Sequence, residues 1–126
     1  TLPEPPILPN LVPGLRFGWD GALIAANQPE TFENNQLVVG ETVYINMAVM
    51  NESSVDFVDS YEINLYFDDQ LVNTIDVNDG TPGGSIQWWP DWDGLDDEVE
   101  VTVGVHVLRM EIDARTSTSS LFNVRT

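Results

Sequence analysis

The sequence predicts an all-β chain, folded as an antiparallel β-sandwich of about seven short strands. Three observations carry this. Apolar residues recur with period two rather than 3.6 over most of the chain. Gly and Pro, 9 and 8 residues, punctuate it at short intervals and leave no convincing helix. A sheet with one apolar face must bury that face against a second sheet.

The elements follow in order. Residues 1–10, Thr1-Leu-Pro-Glu-Pro-Pro-Ile-Leu-Pro-Asn10, hold four Pro and read as an extended polyproline-like linker. Residues 11–126 are long enough for one domain and too short for two comfortable ones. The chain begins with Thr, as expected of a piece of a longer protein. A first strand is expected within Leu11 to Trp19. The clearest strand is Thr42 to Met50: Val43, Ile45, Met47 and Val49 point one way, Tyr44, Asn46, Ala48 and Met50 the other. Tyr61 to Phe67 repeats the alternation, and Leu71 to Val77 follows a short acidic turn at Asp68-Asp69, so the two runs predict a hairpin. That turn lacks the favoured Gly.

Asn78 to Gly84 is a turn cluster, and Ser85 to Trp89 is a strand stopped by Pro90. Asp91 to Glu98 reads as an acidic loop. Val99 to Asp113 is long and apolar, but its phase changes: Val99, Val101, Val103 and Val105 lie in one register, Leu108, Met110 and Ile112 in the other. A one-residue slip turns every side chain over, so a bulge or strand break is expected around Gly104 to Val107. Leu121 to Arg125 supplies a last strand.

Charge narrows the function. Against 21 Asp and Glu stand four Arg and no Lys, a formal net charge of −17. From Phe17 to Leu108, 92 residues contain 18 carboxylates and no Lys or Arg. Nucleic-acid binding is not expected, because phosphate affinity rests on Lys and Arg contacts. Docking on an anionic membrane is unfavourable for the same reason. No run of 18 apolar residues predicts membrane insertion. The chain has no Cys, hence no disulfide framework and no Cys-ligated zinc. A surface this acidic, with Asp exceeding Glu 12 to 9, suits a salt- or Ca²⁺-rich extracellular setting. Secretion or the cell surface is the expected location.

No catalytic constellation is evident, and the chain is not expected to be an enzyme. The lone His, His106, sits in a β-run of Val residues, where a strand residue at a bulge or sheet rim is expected. No nucleophile-elbow motif accompanies it. An acidic hydrolase needs only two carboxylates at a set separation, and 21 of them discriminate nothing. The acidic loop is the candidate metal site. Asp91, Asp93, Asp96, Asp97 and Glu98, with Glu100, put six carboxylates into ten residues. Ca²⁺, the one cofactor the chain suggests, takes six to eight oxygens of this kind. The spacing departs from the EF-hand: Gly94 stands fourth from Asp91, not sixth, and position 102 is Thr. Asn51-Glu52-Ser53 fits an N-glycosylation sequon.

Several segments stand in a telling order: Val39-Gly40-Glu41-Thr42-Val43, a strand closing at Asn51, Leu65-Tyr66-Phe67-Asp68-Asp69, Trp88-x-Pro90, and Gly104-Val105-His106-Val107-Leu108 running to Asp113. Over Asn10 to Asn123 this resembles the CARDB family, the cell adhesion related domain found in bacteria, and the related APHP domains. The resemblance implies an immunoglobulin-like sandwich without catalytic residues. The sequence departs from that pattern at Asp69, where Gly is usual, in the long segment Asp20 to Leu37, in an insertion over Asp91 to Val103, and in the ending.

Four Trp invite a carbohydrate-binding reading. Trp88 and Trp89 are adjacent on a strand and face opposite sides. By the family pattern Trp88 is core, leaving Trp89 and Trp92 near the outer surface as candidate ligand contacts. The expected function is thus a structural or adhesion module of a larger prokaryotic surface or secreted protein. Its partners are neighbouring domains, or a protein or polysaccharide surface. The alternative is a calcium- or carbohydrate-binding accessory domain of an extracellular enzyme.

Overall fold

The alternating runs become strands, in a computed structural model that describes residues 10–33 and 37–126. The Pro-rich segment, apart from Asn10, lies outside the described residues. In chain order the elements are β1 (Leu11–Pro13), β2 (Leu23–Ala26), β3 (Leu37–Val38), β4 (Tyr44–Asn51), β5 (Tyr61–Phe67), β6 (Gln70–Val77), β7 (Ile86–Trp92), α1 (Leu95–Glu98), β8 (Gly104–Ile112) and β9 (Thr116–Arg125). They form two sheets. In the first, β4 is central, with β7 along one side. On its other side β1 pairs with Val49–Asn51 and β2 with Tyr44–Met47, end to end. The second sheet runs β3-β9-β8-β5-β6, antiparallel except for the short parallel pair β3 and β9.

The core lies between the sheets. Ile45, Met47 and Val49 of β4 meet Ile63 and Leu65 of β5 and Leu108, Met110 and Ile112 of β8. Their spacing of two places them on one face of each strand. The outer face of β4 is buried as well. The chain between β1 and β2 leaves the sheet, and Trp19 from this excursion stacks on Phe32 at 5.0 Å over Ile24 and Ala48. With both faces covered, β2 is buried throughout and β4 nearly so. The long segment after Asp20 therefore supplies part of a lid over the first sheet.

The hairpin forms as expected. Its turn residues Asp68 and Asp69 both take left-handed conformations, φ 45° and 68°. Two such residues make the turn whose twist matches the flanking strands. Asp68, the first of the two, is held at both its backbone and its carboxylate. Its N–H donates to the Val107 carbonyl at 2.9 Å, and its Oδ1 accepts the Val107 N–H at 2.9 Å.

The phase change in Val99 to Asp113 is the expected strand break: β8 begins at Gly104 and keeps register with β9 to Ile112. The inward phase changes between Val101 and His106, across Gly104 at φ +128°. Two expectations need correction. Pro90 does not stop β7, which runs on to Trp92. This is an edge strand, where a missing N–H is tolerated. The second correction concerns the Trp residues. Trp89 pairs with inward-facing Met47, and Trp88 with outward-facing Ala48. An extra residue at Pro90-Asp91 shifts the register, so that Trp92 pairs with inward-facing Ile45. The Asp91 N–H donates to Oδ1 of buried Asn46 at 2.9 Å, closing this bulge. Trp89 and Trp92 therefore pack against the core, and Trp88 is 44% exposed.

The two ends of the sandwich are distinct. Thr116 Oγ1 donates to the Leu11 carbonyl at 2.9 Å, so β1 starts beside the start of β9. At the other end of β9, Val124 pairs with Gly104 and Arg125 with Val38.

Candidate functional site

His106 is buried near the start of β8, its ring 4.9 Å from Phe67 and 5.6 Å from Phe122. It is a core residue rather than a rim residue. Nδ1 meets Asp68 Oδ2 at 2.6 Å, and Nε2 meets the Thr102 carbonyl oxygen at 2.6 Å. Both partners are acceptors, so the arrangement is satisfied when both ring nitrogens carry protons. Burial alone would lower the imidazole pKa. The bonds to Asp68 and Thr102 and the Asp68 charge outweigh burial and hold it above its ordinary value. For Asp68, burial pushes upward, and the Val107 N–H together with His106 wins, holding the carboxyl below its ordinary range. A histidine engaged at both nitrogens has no free lone pair with which to activate a nucleophile. It ties the β5–β6 turn to the segment leading into β8.

The acidic segment is divided among different neighbours. Asp91 lies in the bulge of β7, and its Oδ1 accepts the Glu30 N–H at 3.0 Å. Asp93 is exposed. Asp96, Asp97 and Glu98 occupy the single turn of α1, anchored by fully buried Leu95. Gly94 lets the chain pass over Trp92, since a Cβ there would lie 2.9 Å from the indole. Burial holds the Asp96 carboxyl above its ordinary range, aided by Asp97 and opposed by the Val43 N–H. Among the described residues, no three His, Cys, Asp or Glu side chains gather as a metal site. Asp91, Asp93, Asp96, Asp97 and Glu98 are thus spread over the bulge of β7, the exposed link after it and the turn of α1.

The sequon residue Asn51 is fully buried. Its Nδ2 donates to the carbonyls of Val55 (2.8 Å) and Thr81 (3.0 Å), and its Oδ1 accepts from Ser53 N (3.1 Å) and Oγ (3.0 Å). It holds the turn after β4 together and presents no free amide for glycosylation.

A groove of about 500 Å³ lies between the end of β6 and the start of β7, walled by Asp76, Asn78, Asp79, Gln87, Trp88 and Trp89. Of the two candidate ligand contacts, Trp89 reaches this groove and Trp92 does not line it. Trp88, the residue that sequence reasoning places inside, supplies the more exposed indole. The Arg16 guanidinium carbon lies 3.9 Å from the centre of the Trp88 ring, a cation–π contact. Gln87 is fixed by its own bonds: Nε2 donates to the Gly80 carbonyl at 2.9 Å, and Oε1 accepts from Thr81 Oγ1 at 3.3 Å.

No family model matches the sequence, and no curated protein matches it. Solved structures do. A domain of a protein from Methanosarcina acetivorans, described as a cell-surface protein, superposes with a TM-score of 0.63 at 16% identity, covering 94% of this chain and 93% of that one. The CARDB domain of a Pyrococcus furiosus protein, solved in complex with di-metal ions, superposes with a TM-score of 0.60 at 11% identity, covering 97% of this chain and 98% of that one. The chain therefore has the immunoglobulin-like sandwich fold of a CARDB domain, as its motifs lead one to expect.

Proposed function

We propose that the chain is a non-enzymatic spacer and contact module of a larger prokaryotic surface or secreted protein. The observation that carries this is the path of the chain. It enters at the end where Leu11 meets Thr116 and leaves at the opposite end, where Val124 pairs with Gly104. Modules threaded in this way can be strung head to tail. Each adds roughly the length of its last strand, about 30 Å for the ten residues of β9. A charge of −17 on each copy makes neighbours repel and favours an extended array over a collapsed one. The fold shared with a domain described as part of a cell-surface protein supports the location. The engaged nitrogens of His106 support a non-catalytic role.

Small-angle X-ray scattering of two copies joined in series tests the reading. The expected maximum dimension is close to twice that of one copy. A tandem little longer than a single copy would mean that modules pack side by side, and would overturn the spacer role.

A further inference from the structure

The groove beside Trp88 lies where the sandwich is open. β6 is the edge of one sheet and β7 the edge of the other, so neither has a strand on its outer side among the described residues. The groove walls are chemically one-sided. Trp88 and Trp89 offer indole surface, Asp76 and Asp79 offer carboxylates, and no Lys or Arg occurs between Phe17 and Leu108. Asp76 also stands directly opposite Glu62 in the β5–β6 register, and both are exposed. Like charges placed directly across a strand pair are unfavourable, and a cation between them relieves the repulsion. The protein itself shows the binding mode. Arg16, the one Lys or Arg in the first 108 residues, lies over the Trp88 ring, and Arg109 lies over Tyr66 at 4.0 Å.

We propose that this groove receives Arg side chains from an extended segment of a partner protein. The guanidinium stacks on indole surface and pairs with Asp76 and Asp79 while the segment runs along the open edge strands. The carboxylates are acceptors only, which matches a guanidinium with five donors. Edge strands left without neighbours suit an extended partner. The groove gives a site to the contact role proposed above, yet the tandem-scattering result does not depend on it, so either can fail alone.

The test is a titration of the whole chain with a ten-residue peptide of alternating Arg and Thr. A peptide with Glu for Arg and a soluble glucan oligosaccharide are run in parallel. Binding is read by amide NMR shifts and by Trp fluorescence. The Arg peptide should saturate, with shifts concentrated at residues 76–79 and 86–89. Affinity should fall about tenfold between 50 and 300 mM NaCl. It should fall roughly fivefold or more in Asp76→Asn/Asp79→Asn, both at exposed positions, and stay at the parent value in the charge-matched Asp96→Asn/Asp97→Asn. Shifts spread evenly over the acidic surface would overturn the proposal. So would equal losses in the two double variants, or a groove that responds to the oligosaccharide and not to the Arg peptide.

Discussion

Raising the pH from 6 to 9 should destabilise this protein through a single side chain. The chain has one His, no Lys and no Cys, so in that interval His106 is the only side chain whose ordinary pKa falls near the range, the α-amino group apart. Its folded pKa is raised above 6.5, so the stability it contributes is fully present below pH 6.5 and is lost as the pH rises through the folded value. Asp68 works in the opposite direction. Its pKa is lowered from 3.8, so its contribution is present above that value and is lost as the pH falls through the folded value. The latch is therefore strongest between about pH 4 and pH 6.5. Deprotonation of His106 turns one of two 2.6 Å bonds into an acceptor facing an acceptor. A bond to a charged group contributes about 1.5–3 kcal/mol. The Asp68 side chain is 44% exposed, so solvent screening reduces the expected loss to about 1–2 kcal/mol. In a chain of this size that lowers the melting temperature by roughly 3–8 °C. The assay is thermal unfolding followed by circular dichroism across the pH range, for the parent and for His106→Gln at constant ionic strength. The parent should lose stability above pH 6.5 and the variant should not. Parallel curves for the two proteins would refute the latch.

Other consequences are as direct. Leu95→Ala, which empties the fully buried anchor of the acidic segment, should cost about 2–5 kcal/mol in urea unfolding. A loss below about 0.5 kcal/mol would mean the segment is not anchored. Asn51→Ala removes bonds to Val55, Thr81 and Ser53 and should cost about 2–4 kcal/mol by the same measurement. Millimolar Ca²⁺ at fixed ionic strength should leave the melting temperature unchanged. Stabilisation approaching ~2.7 kcal/mol, the linkage for ligand at a hundredfold excess over Kd, would instead identify residues 91–98 as a metal site.

The parts legible in the sequence are those set by local alternation. β4, β5 and the β5–β6 hairpin stand where period two and a two-residue turn put them. The parts that were not legible depend on partners distant in the chain. Two adjacent Trp residues carry the same hydrophobic signal, and only pairing of Trp89 with Met47 decides which faces inward. The extra residue at Pro90-Asp91 that turns Trp92 inward is closed by Asn46, 45 positions away. His106 reads as a rim residue because Asp68, which satisfies it, is 38 positions off. Leu95 is one apolar residue in an acidic run, and its burial comes from the fold around it rather than from any periodicity. The groove joins β6 and β7, which no short pattern connects.

The central claim is that this sandwich stands outside the cell as a spacer. It is tested most directly in the protein's own host, with one engineered thiol. The chain has no Cys, so Ser119→Cys, exposed on β9, places a unique thiol. A membrane-impermeant maleimide should label it on intact cells to the same extent as after lysis. Labelling that occurs only after lysis would contradict a surface role.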